Sequence, residues 1–168
     1  MNKLRSCFLV LTASAISIGS FAQSGQTLLV ALPAGEAPAG LPKVHLNHVA
    51  VYVIDVNRSA QFYTKVIGLD TISEPFHDGK HAWLNIGPHQ AMHIIQGAEA
   101  VKEYYKNNHF CFTVPSVEAF TEILRKNNIS WEDKDGAKRA VTNRVDGVKQ
   151  IWLQDPDGYW IEINDAKD

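Results

Sequence analysis

Asn47-His48-Val49-Ala50-Val51-Tyr52-Val53 and, 61 residues further along, Asn108-His109-Phe110-Cys111-Phe112-Thr113-Val114 read as two versions of one strand. Both are rich in β-branched and aromatic residues, and each precedes a helical pattern. After the first, Asp55 is placed to cap a helix over about 57–67, with Ala60, Phe62, Tyr63 and Val66 as its apolar positions and Gly68 closing it. After the second, a helix starts near Ser116 and runs through Val117, Phe120, Ile123 and Leu124. Short strands follow the first helix near 69–73, 81–86 and 90–96. Trp83-Leu84-Asn85 then matches Trp152-Leu153-Gln154, and His93-Ile94 matches Glu162-Ile163, both at an offset of 69. The extra length falls in a connection around 134–147 that has no apolar periodicity. The chain is therefore two copies of a β-α-β-β-β unit, neither long enough to bury a good core alone. The expected class is α+β, with module 1 over 43–96, a linker over 97–106 and module 2 over 107–165.

Alternation along these strands sorts the side chains into two faces. Val49, Val51 and Val53, and in the second copy Phe110, Phe112 and Val114, form wholly apolar faces that should pack on the helices. His48 and His109 point to the opposite, mixed face. On the last strands Met92 and Ile94, or Ile161 and Ile163, are apolar, while His93 and Glu162 alternate with them. Any one of these histidines alone would read as a surface or hydrogen-bonded residue. Four potential ligands at matched repeat positions, His48, His93, His109 and Glu162, read together as a metal site. Three imidazoles and one carboxylate suit zinc, nickel, iron, cobalt or manganese better than magnesium or calcium. Trp83, Asn85, Gln150, Trp152 and Gln154 share strand parity and are candidates to line a substrate pocket. His45, His77 and His89 read as solvated, His81 is a possible pocket residue, and Cys111 on the mixed face reads as a small packing residue.

Lys3 and Arg5 precede an apolar run over 7–18, too short to span a bilayer comfortably, which ends at Ser20-Phe21-Ala22. This is the pattern of a cleavable signal peptide over 1–22, with a mature chain expected to begin at Gln23 in the periplasm or outside the cell. Residues 23–42, with Pro33, Pro38 and Pro42 around a short apolar patch, read as a flexible arm. The 168 residues are 45% apolar and 20% charged with a formal charge of −2, and loss of Lys3 and Arg5 takes this to −4. Such a balance offers no basic field for nucleic acid or, once the signal is removed, for an anionic membrane. Only Cys111 remains in the mature chain, so no internal disulfide can form. No Gly-rich phosphate loop, G-x-S-x-G elbow or C-x-x-C pair occurs.

Asn47-His48-Val49-Ala50-Val51, Ser59-Ala60-Gln61-Phe62-Tyr63, Ile67-Gly68-Leu69, Asp155-Pro156-Asp157-Gly158 and Trp160-Ile161-Glu162-Ile163 together resemble the vicinal oxygen chelate superfamily. That group includes glyoxalase I, bleomycin-resistance proteins, fosfomycin-resistance enzymes, methylmalonyl-CoA epimerase and extradiol dioxygenases, and the likeness covers about 43–165. The resemblance implies paired βαβββ modules curling into a cup around one divalent metal ion, commonly with two chains sharing their sites, so a homodimer is expected. His48 and His109 match the first-strand ligands and Glu162 the terminal-strand carboxylate. Where bacterial glyoxalase I carries glutamate and the epimerase glutamine, this chain has His93. The implied activity is glyoxalase-like lyase or isomerase chemistry on a small-molecule substrate with vicinal oxygens, through a metal-stabilised enediolate, with Glu162 as ligand and catalytic base. Export conflicts with glutathione and CoA thioesters as substrates, since these are cytoplasmic. The alternatives are a ligand-sequestering protein of the bleomycin-resistance type and an extradiol-type dioxygenase holding iron(II).

Overall fold

Each repeat folds as its own four-stranded sheet with one helix packed on it. The structure, a computed structural model, describes residues 42–167, and the expected signal peptide and nearly all of the arm lie outside the described residues. Module 1 contains β1 (His48–Val53), α1 (Val56–Phe62), β2 (Thr71–Ile72), β3 (His81–Gly87) and β4 (Gln90–Gln96). Module 2 contains β5 (His109–Thr113), α2 (Val117–Lys126), β6 (Thr142–Asn143), β7 (Lys149–Gln154) and β8 (Trp160–Asn164). The sheet orders are β1-β4-β3-β2 and β5-β8-β7-β6. The first and last strands of each module run parallel, and the other pairs are antiparallel. The paired βαβββ arrangement expected from the repeat is thus the observed fold.

Local chemistry sets the element ends. Asp55 accepts the backbone N–H groups of Asn57 and Arg58, and Ser116 accepts that of Ala119, so each helix begins where its side-chain cap predicts. The single helix expected over 57–67 is instead an α-helix ending at Phe62 and a π-helical turn over Tyr63–Ile67. Thr64 Oγ1 donates to the Ala60 carbonyl at 2.8 Å, and the N–H groups of Gly68 and Leu69 both donate to Tyr63 O at 3.0 Å, which widens the last turn. Gly68 closes it at φ 91°, a conformation that costs a residue with a Cβ. β1 begins at His48, where its ladder with β4 starts at the His48–Ala91 pair, and Val44 and Leu46 ahead of it are exposed.

The apolar faces meet the helices as alternation requires. Val51, Val53, Leu84, Met92 and Ile94 pack with Val56 and Tyr63, while Ile151, Leu153, Ile161 and Ile163 pack with Val117, Phe120 and Leu124. Each fully buried aliphatic side chain stabilises the fold by roughly 1.5–3 kcal/mol.

The modules are clasped through the open edge of β1 and one face of α1. Ile54 N donates to Asp157 Oδ1 at 2.8 Å, Ser59 Oγ to Asp157 Oδ2 at 2.6 Å, Tyr63 Oη to Asp155 Oδ2 at 2.9 Å and Tyr52 N to Tyr159 Oη at 3.0 Å. The turn between β7 and β8 supplies every acceptor. Gly158 of that turn lies at φ 93°, and a Cβ there would come within 2.4 Å of the Lys102 carbonyl oxygen.

Candidate metal centre

Strand register puts equivalent residues of the two modules in equivalent places. Ala50 lies opposite His93 and Cys111 opposite Glu162 across the parallel pairs, and Trp83 faces His93 as Trp152 faces Glu162. The ligand candidates consequently share one face of each sheet with Trp83, Asn85, Gln150, Trp152 and Gln154.

In module 2 the His109 Nδ1–H donates to the Lys106 carbonyl at 2.8 Å, which turns Nε2 toward Glu162 Oε2 at 3.1 Å. Two donors bound to one ion at about 2.1 Å are about 3.0–3.4 Å apart at right or tetrahedral angles, so this pair has the spacing of ligands to a common ion. The other carboxylate oxygen is held in place, with Glu162 Oε1 accepting from Asn164 Nδ2 at 3.0 Å and from the Cys111 thiol at 3.5 Å. Burial and the neighbouring Glu162 push the Cys111 thiol up to about 12, and it donates to Glu162 Oε1.

In module 1 the His48 Nδ1–H donates to Asn47 Oδ1 at 2.8 Å, leaving Nε2 free, and the His48 ring stands 6.0 Å from that of His93. A hydrogen bond on the second ring nitrogen is the outer contact that orients metal-binding imidazoles, and His48 and His109 both have it. His93 is only 8% exposed, stacked on Trp83 at 4.1 Å and parallel to Phe76 at 5.8 Å. Burial, followed by the nearby His81 and His48 rings, lowers its pKa and keeps it neutral, the form that coordinates metal. Its Nε2 is buried without a partner among the described residues.

Two nitrogens in one module and a nitrogen with a carboxylate oxygen in the other fit a borderline divalent ion. Among the described residues, however, no group of three or more His, Cys, Asp or Glu side chains is placed to hold one. Within the described residues the four candidates stand as two half-sites, one in each module. The cause is the clasp, which joins the modules through the edge of β1 and the β7–β8 turn rather than through their ligand-bearing faces.

The pocket candidates divide. Trp83 and Trp152 adjoin the half-sites, the latter edge-on to the His109 ring at 6.3 Å. Gln150 is buried opposite Asn164. Asn85 caps its own turn by accepting from Gly87 N, and Gln154 Nε2 donates to the Gly158 carbonyl, so both are engaged locally. His45, His77 and His89 are exposed as expected. His81 lies 5.1 Å from His93, with its Nδ1 2.9 Å from Asp78 Oδ1. Sequence reasoning missed Asn164, although its shared parity with Glu162 is a signal that could have found it. It also missed Phe76, Lys106 and Glu132, which come from segments with no period to read.

Two βαβββ modules, each a four-stranded mixed sheet with candidate ligands on matched strands, define a class of small α+β proteins. The chain belongs to the Glyoxalase/Bleomycin resistance protein/Dioxygenase superfamily, whose sequence profile matches residues 45–163. It is 27% identical over 133 residues to a lactoylglutathione lyase of Escherichia coli O157:H7, covering 74% of this chain and 95% of that protein. It is also 31% identical over 125 residues to Glyoxylase I 4 of Arabidopsis thaliana, covering 70% and 68%. Among solved structures, the fosfomycin resistance protein FosX of Listeria monocytogenes superimposes with a TM-score of 0.60 at 20% identity, covering 75% of this chain and 96% of that one.

Proposed function

We propose that the protein is an exported, metal-dependent enzyme of the glyoxalase type, a lyase or isomerase acting on a small substrate with oxygens on adjacent carbons, and active as a homodimer. The observation that carries this reading is the His109 Nε2 to Glu162 Oε2 approach of 3.1 Å, with the imidazole anchored at Nδ1 and the carboxylate anchored at Oε1. His48, His93, His109 and Glu162 would hold the ion. When bound, it supplies Lewis-acid polarisation of the substrate's adjacent oxygens. Glu162 is the carboxylate available to take a proton from one carbon and return it to its neighbour, through Oε2, the oxygen that Asn164 and Cys111 leave free. The dimer follows from the half-sites. Leu46, Tyr52, Ile72 and Phe76 are exposed on or beside the ligand-bearing face of module 1, an apolar surface that a second chain can cover while bringing its own His109 and Glu162 to His48 and His93. The lyase names of the relatives support the reaction class, and the leader-like residues 1–22 support export and a substrate other than a cytoplasmic thiol ester.

The aromatic packing of Trp83 and Phe76 around His93 favours a second reading, a cup that sequesters a planar ligand without turnover. Elemental analysis of the purified chain after incubation with nickel or zinc and exhaustive dialysis separates the two. The enzyme reading expects a bound ion and its loss, by roughly tenfold or more in affinity, in Glu162→Ala and His109→Ala. Protein that retains no ion, or retains it equally in Glu162→Ala, sinks the metal centre.

A further inference from the structure

We infer that a cavity of about 190 Å³ at one flank of module 2, bounded by Trp131, Glu132, Lys138, Trp152 and Trp160, receives a single aromatic ring, and that the substrates are aryl compounds bearing an anionic group and oxygens on adjacent carbons. The adjacent oxygens rest on the metal reading above; the ring does not.

An apolar cavity of about 150 Å³ admits benzene, so this one has room for one substituted six-membered ring. Of the three indoles, Trp160 is partly exposed and offers a surface suited to stacking or edge contact with an aromatic ring, while Trp131 and Trp152 are almost fully buried behind the lining. The polar groups around the cavity set the charge of its guest. Glu132 is 8% exposed, and its carboxylate pairs with Lys106 Nζ at 2.5 Å and also with Lys138. Burial pushes the Glu132 carboxyl up, but the hydrogen bonds from both lysines outweigh it and hold the group below its ordinary value. Two ammonium groups on one carboxylate leave a net positive charge. Lys106 Nζ also lies over the Trp160 ring at 5.0 Å and the Trp152 ring at 5.9 Å. Trp131 and Trp152, 2% and 5% exposed, each bury an indole N–H that has no acceptor among the described residues. The two ammonium groups favour a guest carrying negative charge.

The cavity and the metal half-site share a wall and a residue. Trp152 lines the cavity, faces Glu162 across β7 and β8, and stands edge-on to His109. Lys106 orients His109 through its carbonyl while its ammonium reaches the cavity rim. One ligand can thus place its ring among the tryptophans and its adjacent oxygens toward the histidine and carboxylate.

Mandelate and lactate test this directly, because they carry the same hydroxyl and carboxylate and differ only in a ring against a methyl group. Benzoate keeps the ring and charge and lacks the second oxygen. Binding of the three to the full purified chain, nickel-loaded and metal-free, is followed by tryptophan fluorescence and calorimetry. The expected result is mandelate tighter than lactate by roughly tenfold, with benzoate binding in both metal states. Trp160→Leu should bring the mandelate-to-lactate ratio toward one. Lys138→Gln, which removes one ammonium without setting a second carboxylate against Glu132, should weaken benzoate about threefold or more in protein whose circular dichroism matches the wild type. Equal affinities for mandelate and lactate, or no benzoate binding to the metal-free chain, overturns the cavity assignment. Benzoate binding that survives while mandelate and lactate show no metal dependence supports the cavity and overturns the metal centre instead.

Discussion

His93 and Glu162 hold matched places in the repeat, yet the chain surrounds them differently. His93 is stacked among aromatic rings, and Glu162 is held by an amide and a thiol. Removing one of those donors should cost metal affinity: Asn164→Ala is expected to weaken nickel or zinc binding by about tenfold, measured by competitive chelator titration on protein whose circular dichroism shows it to be folded. Cys111 offers a second check. With its thiol pushed up to about 12, it carries almost no thiolate near neutrality. Alkylation by iodoacetamide, followed by mass spectrometry, should stay slow at about pH 8 and accelerate only as pH climbs toward that value. Rapid labelling at pH 8 would show that Glu162 does not disfavour the thiolate. The strand register that sets His48, His93, His109 and Glu162 at matched places was legible in the sequence because a repeat fixes which residues correspond and alternation fixes which share a face. Lys106 and Glu132 were not, since they reach Trp152 from a linker and from the segment after α2, where no periodicity tells a side chain's direction.

Elements were legible wherever a local rule sets them. The caps at Asp55 and Ser116 and the β4 strand at Gln90–Gln96 fall where propensity and alternation put them. Replacing either cap by alanine should lower stability by about 1 kcal/mol in urea unfolding. Leu124→Ala, which empties a fully buried position between α2 and its sheet, should cost about 2–5 kcal/mol. A loss under about 1 kcal/mol there would mean that α2 is not anchored as the packing indicates. The failures also have local causes. The π-helical turn depends on Thr64 bonding back to Ala60 and on Tyr63 reaching a carboxylate in the other module, and a helical-wheel reading of 57–67 contains neither fact. β6 is two residues long because the connection between α2 and β7 spends its backbone groups on the Glu132 bridges to Lys138 and Trp152.

At the scale of the whole molecule, the clasp between modules is built from buried acids. Asp157, 3% exposed, accepts from Ile54 N and Ser59 Oγ, so Asp157→Ala leaves both donors unsatisfied and should cost about 3 kcal/mol. Asp155 gives the pH dependence. Burial raises its pKa against the hydrogen bonds from Tyr159 N, Tyr63 Oη and Asp157 N. A carboxyl that binds its proton more tightly when folded adds stability as pH falls below the raised value, fully present below the unfolded value of about 3.9 and lost as pH rises. Compared with Asp155→Asn, the wild type should therefore gain relative stability as pH is lowered from 7 toward 4, by about 1.4 kcal/mol for every tenfold by which folding tightens proton binding. A relative loss over that range would show the carboxylate to be better stabilised folded than unfolded. The clasp was only partly legible in the sequence: Asp157 and Gly158 read as a turn, but not as the seat for Ile54 and Ser59. Its partners are 92 to 107 residues apart in the chain. Contacts at such separations form late in folding, after the shorter loops inside each module have closed. Until then the β1 edge and α1 of module 1 meet any free β7–β8 turn, their own chain's or a neighbour's, on equal chemical terms. Refolding at high protein concentration should accordingly yield domain-exchanged species that dilution suppresses, which makes the speed of module docking, and not the stability of either module, the quantity that decides the yield of native protein.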